Sequence, residues 1–181
     1  MTMILWFVFN AIKNDQSLDR LDWLVSQINT VYKSLTPLHF ACLVNKPQAV
    51  QWLLDHGADV DFSTEDGFTA LHWAAMKGHY DCLRLLLDRG AKVDPETITE
   101  WTPLSRAMQR LPTIDGDTVI DPVALAQYEQ CIELLLLYGA KLDVVSKRLS
   151  NVSCYGTNRN DRGKISVKCT ATRTVCITFG R

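Results

Sequence analysis

The sequence predicts an all-α solenoid of stacked helix pairs, each unit two helices and a turn. Three observations predict it. Thr36-Pro37-Leu38-His39 recurs as Thr69-Ala70-Leu71-His72, and after an identical step as Thr102-Pro103-Leu104-Ser105. A second marker, Gly57-Ala58-Asp59-Val60-Asp61, returns after the same step as Gly90-Ala91-Lys92-Val93-Asp94. Its third copy, Gly139-Ala140-Lys141-Leu142-Asp143, comes later than the period allows, so the last unit carries an insertion of about 16 residues. A fixed period of about 33 residues marks units that cannot bury their apolar faces alone and do so by stacking.

Residues 1–34 are expected to form a degenerate N-terminal capping repeat. Trp23-Leu24-Val25 echoes Trp52-Leu53-Leu54, but Trp23 stands closer to Thr36 than Trp52 does to Thr69, so the first finger is shortened. A stack needs such an end because its outer unit would otherwise expose an apolar face. The opening stretch, MTMILWFVF, is apolar, yet no Lys or Arg precedes Lys13, and a secretory leader needs a basic start. The stretch is too short to span a bilayer. It is expected to face the core.

Residues 35–144 hold three units, each two helices and a turn. Pro37 and Pro103 suit the first helical turn, where a missing N–H has no intrahelical partner. Ala41, Ala74, Ala75 and Ala107 let first helices approach closely. Second helices are richer in large apolar residues: Val50, Leu53 and Leu54, then Leu83, Leu86 and Leu87, then Ile132, Leu135 and Leu136. A glycine after each supplies a left-handed helix stop. Cys82 and Cys131 stand at the same distance before that glycine as Ala49 does in the earlier unit, so they read as small packing residues.

These markers resemble the ankyrin repeat, over roughly residues 36 to 143. The resemblance implies an antiparallel helix pair and a projecting finger per unit. It also implies that the Thr and His of each Thr-x-Leu-His tie the helix start to neighbouring backbone, making His39 and His72 structural. His56 and His79 are single residues in turns, and the four histidines make no ligand pattern. The finger glycine, Gly67, is replaced by Glu100 and Ser34, which predicts fingers of different shape.

The insertion spans about 111–126. Pro112 is expected to stop one helix, Asp115-Gly116-Asp117 to turn, and Asp121-Pro122 to start an unusually long second helix. Asp115, Asp117 and Asp121 do not match a calcium loop, which needs more ligands and a terminal glutamate.

Residues 145–181 read as a basic, poorly ordered tail. They carry eight Lys or Arg (Lys147, Arg148, Arg159, Arg162, Lys164, Lys168, Arg173 and Arg181) and one acid, Asp161. Of the whole chain's 19 basic and 20 acidic residues, 11 and 19 precede position 145, so the body is about −8 and the tail about +7 by formal count. An acidic body argues against nucleic acid as the main ligand. Residues 165–179 alternate apolar and polar side chains, a strand pattern rather than a further helical unit. Cys42, Cys82 and Cys131 are expected to be reduced thiols of an intracellular protein, cytoplasmic or nuclear, and no C-x-x-C pair occurs.

The resemblance implies a non-catalytic adaptor that binds another protein through a concave face of finger tips and first-helix edges. The corresponding positions are Glu65, Asp66, Phe68, Met76 and Lys77, then Ile98, Thr99, Trp101, Gln109 and Arg110. One unit earlier they are Lys33, Leu35, Leu43 and Val44. Phe68 and Trp101, at successive finger ends, are aromatic hot-spot candidates; the competing reading packs both rings against the next finger. Gly78 to Asp94 and Tyr128 to Asp143 are also similar to the ankyrin-repeat and SOCS-box family, which implies substrate recruitment to a cullin-type ubiquitin ligase through elongins B and C. The tail offers no Leu-x-x-x-Cys with which such a box opens. No nucleophile elbow, phosphate loop or paired-carboxylate site appears. The expectation is therefore a monomer with no cofactor, metal, nucleic acid or membrane partner. The alternatives are a regulatory module of an enzyme complex and a membrane or nucleic-acid binder anchored by the tail.

Overall fold

A computed structural model describes residues 2–14, 28–109 and 122–141, together with three short strands beyond them. The expectations for Trp23-Leu24-Val25, for Arg110, for Pro112, Asp115, Asp117 and Asp121, and for Asp143 fall outside the described residues.

Among the described residues seven helices follow one another: α1 (Thr2–Lys13), α2 (Pro37–Leu43), α3 (Pro47–Asp55), α4 (Ala70–Lys77), α5 (Tyr80–Asp88), α6 (Pro103–Gln109) and α7 (Pro122–Leu137). The first helices α2, α4 and α6 begin at Pro37, Ala70 and Pro103, the constant step that the Thr-x-Leu-His spacing requires. They pack in sequence on one another, and the second helices α3, α5 and α7 do the same. Helix α7, with 16 residues, starts at Pro122 and is the long helix expected after the insertion. No strand occurs among the described residues between 36 and 141.

The core runs along the stack. Ala41, Ala74 and Ala107 are wholly buried between first helices, where a larger side chain would hold them apart. Leu53, Leu83, Leu86, Ile132 and Leu135 are equally buried on the second helices, each contributing roughly 2 kcal/mol by leaving water. Cys42, Cys82 and Cys131 are free, fully buried thiols within this core, consistent with the packing role read from their repeat positions. Gly57, Gly90 and Gly139 take φ of +88°, +82° and +93° just past their helices.

The N-terminal helix packs against α2. Val8, Ala11 and Ile12 are buried, and the Phe9 ring lies 4.4 Å from that of Phe40 and 5.5 Å from that of Tyr32. The apolar start is therefore core-facing from Val8 onward.

At the other end, α7 crosses back over α4. The Tyr128 hydroxyl donates to the Met76 carbonyl at 3.1 Å. Its ring lies over Gly78, the left-handed cap of α4 (φ 71°), where an added Cβ would sit 3.2 Å from it. In the C-terminal segment, β1 (Cys154–Arg159), β2 (Ile165–Cys169) and β3 (Ile177–Thr178) form an antiparallel sheet in that order. The alternating stretch at 165–179 supplies β2 and β3.

Candidate functional site

The fingers are built by short backbone turns that repeat with the period. In the second finger the Thr64 N–H donates to the Phe68 carbonyl at 2.9 Å, and the Gly67 N–H to the Thr64 carbonyl at 2.8 Å. In the third, the Thr97 N–H donates to Trp101 at 3.0 Å and Glu100 to Thr97 at 2.8 Å. Glu100 takes φ of 58° where Gly67 takes 81°, so the expected difference in shape between these two fingers is not found. Glutamate accepts a left-handed backbone that costs it about 1–2 kcal/mol. The first finger does differ. Tyr32 and Leu35 exchange both backbone hydrogen bonds across Lys33 and Ser34, which have φ of 50° and 64°, a tighter turn by one residue.

Adjacent fingers are joined. The Ile98 N–H donates to the Asp66 carbonyl at 3.0 Å. Gly67 lies against this junction: an added Cβ would come within 2.9 Å of Thr97 Cα. At the finger bases, Asn29 Oδ1 accepts from the Asp59 N–H, Asp61 from Lys92 and Asp94 from Lys141, at 2.9, 2.9 and 3.1 Å. This is one side-chain acceptor per unit, each reaching the next.

The two histidines of the repeated motif hold each helix start to the following finger. In His39, Nδ1 accepts from the Thr36 N–H at 3.2 Å, which leaves the proton on Nε2 to donate to the Phe68 carbonyl at 3.2 Å. His72 repeats this, accepting from Thr69 at 3.1 Å and donating to Trp101 at 2.9 Å. Burial lowers both pKa values from 6.5 to about 4, against hydrogen bonding to the neighbouring carbonyls that raises them; near pH 7 both rings are neutral. In the third unit Ser105 folds back, its hydroxyl donating to Thr102's own carbonyl at 2.8 Å. His79, read from sequence as an isolated turn residue, instead ties α5 to the preceding unit through Nδ1 and the Cys42 carbonyl, 2.7 Å apart.

These ties place the expected binding residues. Glu65, Asp66, Lys77, Ile98, Thr99 and Gln109 are exposed, and Met76 is half-buried. Ile98 is 74% exposed, more than any other large apolar side chain among the described residues. Phe68 and Trp101 are half-buried. Their rings are joined by a residue that sequence reasoning missed: the Arg106 guanidinium stands 5.0 Å from the Phe68 centroid and 4.5 Å from that of Trp101. Phe68 also packs 5.5 Å from Trp73. Arg106 occupies the repeat position of Phe40 and Trp73, and a cation where the period calls for an aromatic was the available signal. Its Nη1 donates to Gln109 Oε1 at 3.1 Å.

Elsewhere, a shallow depression lined by Pro47, Gln48, Gln51, Trp52, Asp55 and Leu85 lies on the second helices, not the fingers. Among the described residues no group of three His, Cys, Asp or Glu could hold a metal ion, and no helix is long and apolar enough to cross a membrane.

Stacked helix pairs, a histidine ladder and hydrogen-bonded fingers define a repeat solenoid of the protein-interaction class. The chain belongs to the ankyrin-repeat family: a model of three ankyrin-repeat copies matches residues 8–97, and a second ankyrin-repeat model matches residues 72–136. A comparison with curated proteins found no significant match. Ankyrin repeats are protein–protein interaction modules, and the functional class of this chain is that of its family.

Proposed function

We propose that the chain is a non-catalytic adaptor that binds a partner protein through the finger tips and first-helix edges of its second and third units. The observation that carries this reading is the exposure of Ile98 on a finger whose backbone is pinned to Asp66. A large apolar side chain held rigidly in water gives a partner contact area at little ordering cost. In this reading the exposed Glu65, Asp66, Lys77, Thr99 and Gln109 would make the polar contacts and the half-buried Phe68 and Trp101 the aromatic ones. Met76 borders the same face, and Arg110 follows Gln109 in sequence.

Affinity capture with the intact chain, with Ile98→Asp and with Trp101→Ala, read by mass spectrometry, tests it. A partner retained by the intact chain and lost by both variants supports the reading, whereas equal retention by all three rejects it. The similarity of Gly78–Asp94 and Tyr128–Asp143 to the ankyrin-repeat and SOCS-box family favours a second reading, a substrate-recognition subunit of a cullin-type ubiquitin ligase. Capture of elongins B and C would support that reading; their absence from a capture that retains another partner would reject it.

A further inference from the structure

We propose that Cys154 and Cys169 are a redox-sensitive pair, joined as a disulfide when the chain meets an oxidant, and that the bond staples the open end of the β1–β2 pair.

The strand register carries it. Strands β1 and β2 run antiparallel, and Cys154 stands directly opposite Cys169. Directly opposed residues of an antiparallel pair share one face of the sheet, with Cα atoms about 4.5–5.5 Å apart. A disulfide spans Cα separations of about 4.4–6.8 Å, so this register position meets the backbone requirement. On its other edge β2 pairs with β3 through Ser166 and Val167, which leaves Cys169 opposite no described residue of β3.

The place of the pair in the ladder gives the bond a use. Arg159 opposite Ile165 lies beside the connection between the strands, and Cys154 opposite Cys169 is the pair farthest from it. The register shifts between Tyr155 and Asn158, so beyond that irregularity the open end is held only by Tyr155 with Lys168 and Cys154 with Cys169. Residues 145–181 carry one leucine and eight Lys or Arg, too little apolar surface to build a core beneath so small a sheet. Small units of this kind gain their order from covalent cross-links.

The oxidant is a low-molecular-weight disulfide. One cysteine thiolate attacks it and expels a small thiolate, leaving a mixed disulfide. The second cysteine thiolate attacks the sulfur of the first and expels the other small thiolate. The two cysteines give up two electrons and two protons, which leave with the oxidant as two small thiols. Cys42, Cys82 and Cys131 are wholly buried in the helical core and serve as internal controls that stay reduced.

Trypsin separates the alternatives, because Cys154, Cys169 and Cys176 fall in different peptides, 149–159, 169–173 and 174–181. The intact chain is incubated with oxidised glutathione, its remaining thiols are blocked with iodoacetamide in urea, and the unreduced digest is mapped by mass spectrometry. Peptide 149–159 linked to 169–173 should be the main product. A chain kept in urea during oxidation supplies the contrast: loop closure there favours the shortest loop, so Cys169 linked to Cys176 should predominate. A native chain without the Cys154–Cys169 linkage overturns the inference, whether its cysteines stay reduced, pair as Cys169 with Cys176, or join two chains. Amide exchange reads the staple independently. Residues 154–169 should exchange about tenfold more slowly in the oxidised chain than in the reduced one, and Cys154→Ser under the same oxidant should match the reduced chain. Equal exchange in the two redox states overturns the staple.

Discussion

The imidazole of His72 donates from Nε2 to the carbonyl of Trp101, on the following finger, at 2.9 Å. One side chain thus joins the start of α4 to the finger that carries the proposed binding residues. The same bond from His39 to Phe68 anchors the finger before it. Protonation would keep the Nε2–H donor but remove Nδ1 as acceptor for the Thr36 and Thr69 N–H groups, so the starts of α2 and α4 are coupled to the protonation of two buried rings.

That coupling predicts acid lability. Both rings fall from 6.5 to about 4 on folding, chiefly through burial. Between these values the unfolded chain binds more protons than the folded one, so stability is complete above about pH 6.5 and is lost as pH falls through about 4. Full protonation at one such site corresponds to roughly 3 kcal/mol. The thermal midpoint should drop over this window, and His72→Gln, whose amide does not titrate, should show a shallower slope from a lower starting point. Identical slopes in the two proteins would remove His72 from the explanation.

Gly67 and Gly57 separate backbone strain from crowding. Both have positive φ, but nothing lies near a Cβ added at Gly57, whereas one at Gly67 meets Thr97 Cα at 2.9 Å. Gly57→Ala should cost about 1–2 kcal/mol, the price of the left-handed region alone. Gly67→Ala must in addition part the second and third fingers and should cost more, read as a lower denaturation midpoint. Equal costs would mean that the fingers part freely.

Thiol chemistry should follow burial. Burial pushes the Cys42 thiol well up, with Cys82 beside it adding to the effect, and raises Cys131 to about 12. Alkylation near neutral pH, mapped by mass spectrometry, should leave Cys42, Cys82 and Cys131 unmodified until denaturant is added, because the thiolate is the reactive form. Rapid labelling of Cys42 in the native protein would contradict its place in the core.

How much of this was legible in the sequence depends on what kind of neighbour a residue uses. The Thr-x-Leu-His motif and its glycines were readable because their partners recur at the same spacing. Pro37, Ala70 and Pro103 start helices where the period puts them. The ladder of Asn29, Asp61 and Asp94 was only half legible: the acids recur, but their partners are backbone N–H groups, which no side chain advertises. His79 had no repeat counterpart, since the equivalent residue is Lys46, so its bond to Cys42 left no trace in the pattern. For the finger surface, sequence named the positions, while the Arg106 guanidinium between Phe68 and Trp101 emerged only when three elements were brought together.

That guanidinium bears on the central test of the binding face. Trp101 is half-buried, with the Arg106 guanidinium 4.5 Å from its ring. A rigid aromatic at a true hot spot should cost roughly 2 kcal/mol of binding on truncation, about thirtyfold in affinity. Arg106→Ala leaves the indole but frees it, and should lose about 1 kcal/mol of stability with the cation–π contact together with a smaller part of the affinity. Leu86→Ala empties a wholly buried site on α5 and should cost about 2–5 kcal/mol of stability with affinity per folded molecule unchanged. With a captured partner, Trp101→Ala should therefore cost the most affinity and Leu86→Ala the most stability, with Arg106→Ala losing less affinity than Trp101→Ala. If Trp101→Ala lowers the midpoint as far as Leu86→Ala and leaves affinity intact, the indole is core, and the partner contacts shift to Ile98 and the carboxylates beside it.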